Sequence, residues 1–210
     1  MINHLWTCHT EEWQPLADVT LPYFAEYAKR HEMHLHVQTI FRPDLPFLFA
    51  KADAIAEYWW AHTPPALWVM DIDLIFTNMK KRLPVPRKCI TLSRDINGMN
   101  CGVFALSGPA PIAYLYMKTV AALAPHFKDL MNPDQTTIGY LAPAYDQFTE
   151  YVAQPCFNSI PLNEYPEYNE REYTEEEGQW KPGHLVCHLP GRTIEERLSI
   201  FPKYQQEVIR

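Results

Sequence analysis

The sequence predicts an α/β protein with a central, mostly parallel sheet between helices, organised as a single domain over residues 1–210. Strand-like apolar runs alternate with helix-like segments in the first third of the chain, the order that a right-handed parallel sheet requires. No internal repeat or low-complexity linker divides the sequence. With 210 residues, 47% of them hydrophobic and 20% charged, the chain is long enough for one substantial core.

The predicted elements follow one another with clear boundaries. HLWTC predicts a first strand, QPLADVTLPYFAEYAKRH a helix, HLHVQTI an alternating strand and FLFAKADAIAEYWWAH a second helix, which Thr63-Pro64-Pro65 ends. LWVM, KCITLS, CGVFAL and HLVCHL predict further strands, and PIAYLYMKTVAAL and DQTTIGYLA predict helices. TIEERLSIF opens a last helix with a capping box from Thr193 to Glu196, and Pro202 is expected to break or kink it.

Composition and charge exclude several classes of function. The formal net charge of −7 argues against a nucleic-acid partner, and it means that a phosphate-bearing ligand needs a metal ion or a local cationic patch. The five cysteines are scattered and form no CxxC pair, which favours a reducing compartment. No signal peptide is visible, and no apolar run approaches the ~20 residues of a membrane span. We therefore expect a soluble, cytoplasmic protein.

The most informative stretch is ALWVMDIDLIFTN, residues 66–78, in which an apolar strand runs into two aspartates. Because strand side chains alternate, Asp71 and Asp73 are expected on the same face. Ligands of α/β proteins bind beyond the carboxyl ends of the strands, and two anions this close repel unless a proton or a cation lies between them. A solvated pair that caps a turn is the ordinary alternative.

Two chemistries use paired aspartates at such a place. In the first, the carboxylates hold Mg²⁺ or Mn²⁺, which offsets the charge on a leaving nucleoside diphosphate. In the second, the chain is a haloacid-dehalogenase-like phosphohydrolase with Asp71 as nucleophile and Asp73 as acid/base. That family's aspartates normally follow the first strand, whereas these follow the third, and the downstream acidic pair that the family needs is not visible in the sequence.

Three further motifs follow in order: GMNCGVFALSG at 98–108, DQTTIGYLA at 134–142 and KPGHLVCHLPGR at 181–192. With WVMDIDLIFTN, the series resembles the retaining GT-A-fold glycosyltransferases, closest to the galactosyl/mannosyl/xylosyltransferase group with its D-x-D, Asp-Gln and H-x-x-G motifs. The resemblance runs from about Leu5 to Arg197. It implies a Rossmann-type, mixed but mostly parallel sheet. It also implies metal-dependent transfer of a hexose or pentose from a nucleoside-diphosphate sugar, UDP being the usual carrier, to a hydroxyl of a glycan or another acceptor.

The resemblance also implies a metal site and a donor site. Asp71, Asp73 and His188 would bind Mn²⁺ or Mg²⁺, and the imidazole makes Mn²⁺ the better match. The donor would contact further residues of the motifs, namely Lys51, Asp71, Asn100, Gly102 and Arg192, with Lys51 and Arg192 bringing positive charge to the phosphates. Solvated surface positions for these two cations, and a satisfied strand histidine for His188, are the ordinary alternatives.

Three residues would act at the transferred sugar. The resemblance implies that Asp134 holds the sugar hydroxyls and that Gln135 lies near the anomeric carbon, although Asp134 is also placed to cap a helix. Asp95 would bind donor or acceptor sugar, with a surface turn as its alternative. The sequence offers no clear enzymic nucleophile, so the resemblance favours front-face transfer with retention; an inverting route would use Asp95 as base. A non-catalytic nucleotide-sugar binding module would share the same metal site.

Overall fold

A computed structural model of the chain describes residues 2–95, 98–130, 132–153, 157–166, 172–174 and 177–210. The first half alternates strands and helices as predicted: β1 His4–His9, α1 Gln14–Arg30, β2 His34–Thr39, α2 Phe47–His62 and β3 Ala66–Met70. The second half is richer in short elements: β4 Leu74–Phe76, β5 Ile90–Asp95, β6 Gly98–Ser107, α3 Ala110–Ala122, α4 Ala124–Phe127, α5 Pro133–Leu141, β7 Thr149–Ala153, β8 Val186–His188 and α6 Ile194–Gln205. The sequence did not predict β4 or β7.

The central sheet has six strands in the order β2-β1-β3-β6-β5-β7. β1 pairs in parallel with β2 and β3, and β5 pairs in parallel with β7, whereas β6 is antiparallel to both β3 and β5. The predicted mixed, mostly parallel sheet flanked by helices is therefore confirmed. A separate antiparallel pair joins β4 to β8 and sets Leu74 opposite His188. This pairing brings the end of β8 next to the aspartates that precede β4.

Both faces of the sheet are covered by apolar side chains. Trp6 and Phe104 point into a core packed by Phe49 and Trp59 of α2, while the neighbouring residue Leu5 points into a core on the opposite face. This alternation is the period of two expected for strands buried on both sides. A third core lies beneath α6, where Ile72, Ile75, Cys187, Leu189 and Phe201 pack together. That core fixes α6 close to the turn after β3.

Helix α6 begins as the sequence predicts and ends later than predicted. Thr193 Oγ1 accepts a hydrogen bond from the Glu196 amide at 3.2 Å, and the Thr193 amide donates to Glu196 Oε2 at 2.8 Å, which is a complete capping box. The helix continues through Pro202 to Gln205, so of the expected break or kink the break is wrong. Only three helical residues follow the proline, and burial of Phe201 and Tyr204 holds this last turn in place.

Among the described residues, no helix combines the length and the apolar character that a bilayer crossing requires.

Four histidines cluster near Tyr58 where β1 and β2 begin. His4 Nδ1 lies 2.9 Å from the Tyr58 hydroxyl, and the His4 ring centroid lies 4.9 Å from that of His34 and 6.0 Å from that of His62. The ring centroids of His36 and His62 lie 4.4 and 4.3 Å from that of Tyr58. Burial lowers the pKa of His4 from 6.5 to about 4, and repulsion from the charges of the three other histidines adds to this effect.

Acidification is predicted to destabilise the fold through His4. Between pH 6.5 and about 4 the unfolded chain binds a proton at His4 that the folded chain does not, so the free energy of unfolding falls as pH falls through this window. His4→Gln should make that decline shallower in urea denaturation measured across the range. His126→Gln, at an exposed histidine of α4, is the matched control. An identical pH dependence in His4→Gln and the wild type would contradict the prediction.

Candidate functional site

A cleft of about 350 Å³ opens where β1 and β3 end. Its walls come from the segment after β1, the turn after β3, the middle of β6, the start of α5, the residues after β8, and α6. Most of the polar side chains singled out by the sequence motifs line it: Asp71, Asp73, Asn100, Asp134, Gln135 and His188. The strand-end location matches the general position of ligand sites in α/β folds.

Asp71 and Asp73 lie in a turn between β3 and β4, and not on an extended strand as the sequence suggested. The turn is fixed at both ends, because the Asp71 amide donates to the Gly102 carbonyl at 2.8 Å and the Leu189 amide donates to the Asp73 carbonyl at 2.9 Å. The side chains still converge. One ligand atom from each of Asp71, Asp73 and His188 lies within 4.8 Å of the other two.

His188 is held on both ring nitrogens. Nδ1 lies 2.9 Å from Asn158 Oδ1, and Asn158 Nδ2 in turn donates to Ser93 Oγ at 3.0 Å. Because the Asn158 oxygen is an acceptor, Nδ1–H donates to it and Nε2 faces Asp73 Oδ1 at 3.1 Å. The histidine is 1% exposed, so its ring orientation is set by these contacts. An imidazole anchored in this way is the usual arrangement of a metal-ligating histidine.

Each aspartate is paired with its own buried cation. Lys51 of α2, 4% exposed, forms an ion pair with Asp71. Arg197 of α6, 3% exposed, donates from Nη2 to Asp73 Oδ2 at 2.7 Å and from Nε to the Leu189 carbonyl at 2.8 Å. Lys51 was predicted from the sequence. Arg197 was not, because it lies 124 residues from Asp73 and the capping box before it indicates only where its helix begins.

The two carboxylates are electrostatically unequal. Burial acts to raise the pKa of Asp73, but His188 and Arg197 outweigh it and lower that pKa to about 2. Burial raises the pKa of Asp71, more than the Lys51 charge lowers it. Burial acts to lower the pKa of Lys51, and the Asp71 charge outweighs that effect so that the lysine stays protonated. The negative charge of Asp71 is thus less well compensated than that of Asp73, and a bound cation would compensate it further.

Four more of the residues predicted from the sequence motifs line the cleft. Asn100 and Gly102 line it, and the Gly102 amide donates to Asn100 Oδ1 at 2.7 Å. Asp134 and Gln135 line it from the first turn of α5, where the N-cap position is occupied by Asn132 and Asp134 Oδ1 accepts from the Gln135 amide at 2.8 Å.

Three predicted donor or sugar residues do not line the cleft as the structure describes it. Lys51 is buried against Asp71 and reaches the cleft only through that aspartate. Arg192 donates to the Glu164 carbonyl at 2.6 Å and to Glu196 at 3.2 Å, stacks 4.2 Å from the Tyr165 ring, and is not among the residues that line the cleft. The Asp95 side chain lies outside the described part of the chain.

Residues at and just after the end of β1 line the cleft, and the sequence motifs did not predict them. They are His9, Thr10, Glu12 and Trp13, and the Arg197 guanidinium lies 4.6 Å from the Trp13 ring centroid. No motif marks these residues in the sequence. Their position directly after the first parallel strand was the available signal, because that strand ends at the same edge of the sheet as β3.

Gly102 leaves no room for a side chain beside His188. A Cβ at this position would lie 2.2 Å from His188 Cε1 and 2.9 Å from Nε2. The imidazole cannot move aside without giving up its contacts with Asn158 and Asp73. Glycine is therefore required at position 102, because β6 approaches His188 closely there.

Sequence comparison and structural comparison give different results. No protein-family model matches the chain, and no curated protein matches it in sequence. Solved structures do match. A glycosyltransferase involved in the glycosylation of the major capsid of PBCV-1 superposes with a TM-score of 0.73 at 16% identity, covering 97% of this chain and 100% of that one.

Two further glycosyltransferases superpose at lower similarity. GlyE of Streptococcus pneumoniae TIGR4 gives a TM-score of 0.65 at 11% identity, covering all of this chain and 61% of that one. The galactosyltransferase LgtC, solved in complex with donor and acceptor sugar analogues, gives 0.54 at 12% identity, covering 99% and 95%. At such identities the likeness concerns the fold. The chain has a GT-A-like glycosyltransferase fold.

Gly102→Ala is predicted to damage the site and the fold together. The added methyl group would force the imidazole of His188 away, so we expect a loss of about 1–3 kcal/mol of unfolding free energy and a ten- to hundredfold loss of Mn²⁺ affinity. Denaturation and calorimetric Mn²⁺ titration would measure the two effects. Gly139→Ala is the control, because there the nearest atom to the new Cβ is the flexible end of Met99. Unchanged Mn²⁺ affinity in Gly102→Ala would contradict the packing argument.

Proposed function

We propose that this protein is a metal-dependent glycosyltransferase that moves a hexose or pentose from a nucleoside-diphosphate sugar, with UDP as carrier, to an acceptor hydroxyl. The observation that carries the proposal is the convergence of Asp71, Asp73 and His188 in the cleft beyond the ends of β1 and β3 of a GT-A-like fold, with the buried cations Lys51 and Arg197 beside them. This grouping answers the charge problem of a chain with a net charge of −7, because it creates a local site for an anionic diphosphate.

The donor atoms fit a divalent cation. Two carboxylates and an imidazole nitrogen lie within reach of one ion, and Asn158 orients the imidazole so that Nε2 faces the carboxylates. Carboxylate oxygens suit Mg²⁺ and Mn²⁺, and the imidazole favours Mn²⁺. Asp71, Asp73 and His188 would hold the ion. When bound, it would supply electrostatic stabilisation of the departing diphosphate.

Residues in and beside the cleft would position the donor. Lys51, buried beside Asp71 and within the electrostatic reach of Asp134, would keep positive charge near the phosphates. Asp134 would accept hydrogen bonds from the sugar hydroxyls, and Gln135 would lie next to the anomeric carbon. Gly102 would let the β6 backbone approach the donor, and Asn100 of the same strand would contact the donor or acceptor sugar.

The transfer step proposed here retains the anomeric configuration. The bond from the anomeric carbon to the phosphate oxygen breaks, the acceptor oxygen bonds to the same face of that carbon, and the acceptor proton goes to the departing phosphate oxygen. Holding donor and acceptor together provides much of the rate enhancement. Asp95 as a base for an inverting route would be the alternative, and proton NMR of the first anomer formed would distinguish the two.

The donor and acceptor classes follow from the fold and the cleft. LgtC, solved with donor and acceptor sugar analogues, shares this fold, which supports a sugar donor and a hydroxyl acceptor here. We further propose that residues 1–210 act as one catalytic domain in the cytoplasm. The described cysteines Cys8, Cys89, Cys101 and Cys187 are buried and are not in disulfides, which is consistent with a reducing compartment.

Two other functions are less well supported. A haloacid-dehalogenase-like phosphohydrolase would need a nucleophilic Asp71, whereas here Asp71 is paired with Lys51 and follows β3 in a glycosyltransferase fold. A non-catalytic nucleotide-sugar module would bind the same ligands, and only turnover separates it from an enzyme. Release of UDP from a panel of UDP-sugars, with and without simple sugar acceptors, would make that distinction.

Binding of UDP is predicted to require Mn²⁺ and the acidic pair. In calorimetric titrations, UDP should bind the wild type with Mn²⁺, more weakly with Mg²⁺, and very weakly with chelator. Asp73→Asn and Asp71→Asn should each reduce the Mn²⁺-dependent affinity by at least about tenfold, because each removes a charged ligand of the ion.

Asp44→Asn, at an exposed aspartate paired with Arg42, is the matched control and should bind like the wild type. Circular dichroism should show that all three variants are folded. Two results would overturn the proposal: UDP binding that is indifferent to chelator and to both site variants, or phosphate release with trapping of a phosphate-mimicking fluoride at Asp71.

A further inference from the structure

Arg197 is a buried cation of the cleft that neither the sequence motifs nor the proposed reaction explains. Its guanidinium is buried, is anchored by Nε to the Leu189 carbonyl, and lies 4.6 Å from the Trp13 ring. Nη2 donates to Asp73 Oδ2 at 2.7 Å. The other terminal nitrogen, Nη1, is buried and has no hydrogen-bond partner among the described residues. An unpartnered guanidinium nitrogen in a ligand-sized cleft is costly unless a ligand binds it.

Arg197 engages one of the two oxygens of a carboxylate that a metal ion would coordinate. The two oxygens of Asp73 face Arg197 Nη2 and His188 Nε2, respectively. A cation that coordinates Asp73 would therefore approach a carboxylate already engaged by a buried positive charge. Charge-assisted bonds of this length are among the strong ones in proteins, so the arginine and the ion compete for the same carboxylate.

The charges around Asp71 and Asp73 also favour joint binding of an ion and a diphosphate. The carboxylates of Asp71 and Asp73 are matched one to one by Lys51 and Arg197. A divalent cation alone would meet these two buried positive charges at the carboxylates that it coordinates, with Glu12 and Asp134 as further carboxylates of the cleft. A diphosphate arriving with the ion would offset that charge, and its oxygens would be acceptors for a guanidinium that has released Asp73.

We propose that Arg197 couples metal binding to diphosphate binding: it pairs with Asp73 in the empty site and transfers its hydrogen bonds to the diphosphate when the ion and the nucleotide bind together. This inference rests on the proposed function. It makes Arg197 a positioning residue that opposes binding of the ion alone and favours binding of the ion with its diphosphate. Linkage then requires the nucleotide to raise the affinity for the ion by the factor by which the ion raises the affinity for the nucleotide.

Arg197→Gln tests the inference because its two expected effects have opposite signs. Removing the competing charge should tighten the binding of Mn²⁺ alone by about three- to tenfold, while the affinity for UDP at saturating Mn²⁺ should fall by about tenfold. Calorimetry measures both, and the paramagnetic resonance of free Mn²⁺ provides a second readout of metal affinity that needs no turnover. A purely structural role for Arg197 would weaken both affinities together.

Two further variants keep the test decisive. Lys203→Gln removes one positive charge from the same helix at an exposed ion pair with Glu164, and it should leave both affinities at the wild-type values. Arg197→Lys retains the charge without the planar fork, so its Mn²⁺ affinity should stay closer to the wild type and its UDP affinity should fall between those of the wild type and Arg197→Gln. Arg197→Lys also provides the test if Arg197→Gln does not fold.

The outcomes separate this inference from the function on which it rests. A wild type that binds neither Mn²⁺ nor UDP would refute the proposed function itself. A wild type that binds both, with Arg197→Gln or Arg197→Lys weakening both affinities in parallel or changing neither, would leave the proposed function standing and overturn the coupling role of Arg197.

Discussion

Positive charge from separate parts of the chain holds Asp71 and Asp73 side by side beyond the end of β3. Lys51 comes from α2 and Arg197 from α6, while the imidazole of His188, at the end of β8, lies against Asp73. Without these partners the two closely spaced carboxylates would repel, and one of them would take up a proton. Glu12 and Asp134 also line the cleft, so carboxylates outnumber the two cations there. A divalent cation would offset that excess, and under the proposed function it would in turn allow an anionic diphosphate to bind.

The geometry of this charge cluster depends on a small antiparallel pairing outside the main sheet. β4 immediately follows the aspartates, and its pairing with β8 sets Leu74 opposite His188 and draws the histidine to within 3.1 Å of Asp73. Gly102 on β6 supplies the space that the imidazole occupies, and Asn158 fixes its orientation. The chemistry of the site is thus tied to the packing of β8 and α6, which form the last part of the described chain.

Much of the fold could be predicted because its signals are local. Helix α2 has the predicted bounds, since its apolar periodicity and the prolines after it are both in the sequence, and the Thr193 capping box is confirmed. The short strands β4 and β7 were missed because runs of three to five residues carry little periodicity. Pro202 was expected to break α6, but tertiary burial of its neighbours outweighed the local rule. Arg197 had no local signal, because its pairing with Asp73 arises only when α6 packs on the turn after β3.

The central claim is that one metal ion lies between Asp71, Asp73 and His188 and links them to a nucleoside diphosphate. Anomalous diffraction at the manganese edge, from crystals grown with Mn²⁺ and UDP, tests it most directly. The account predicts a single strong peak within coordination distance of all three side chains and of diphosphate oxygens. UDP bound in the cleft with no anomalous peak between it and these residues, or a peak held by other residues, would contradict the account.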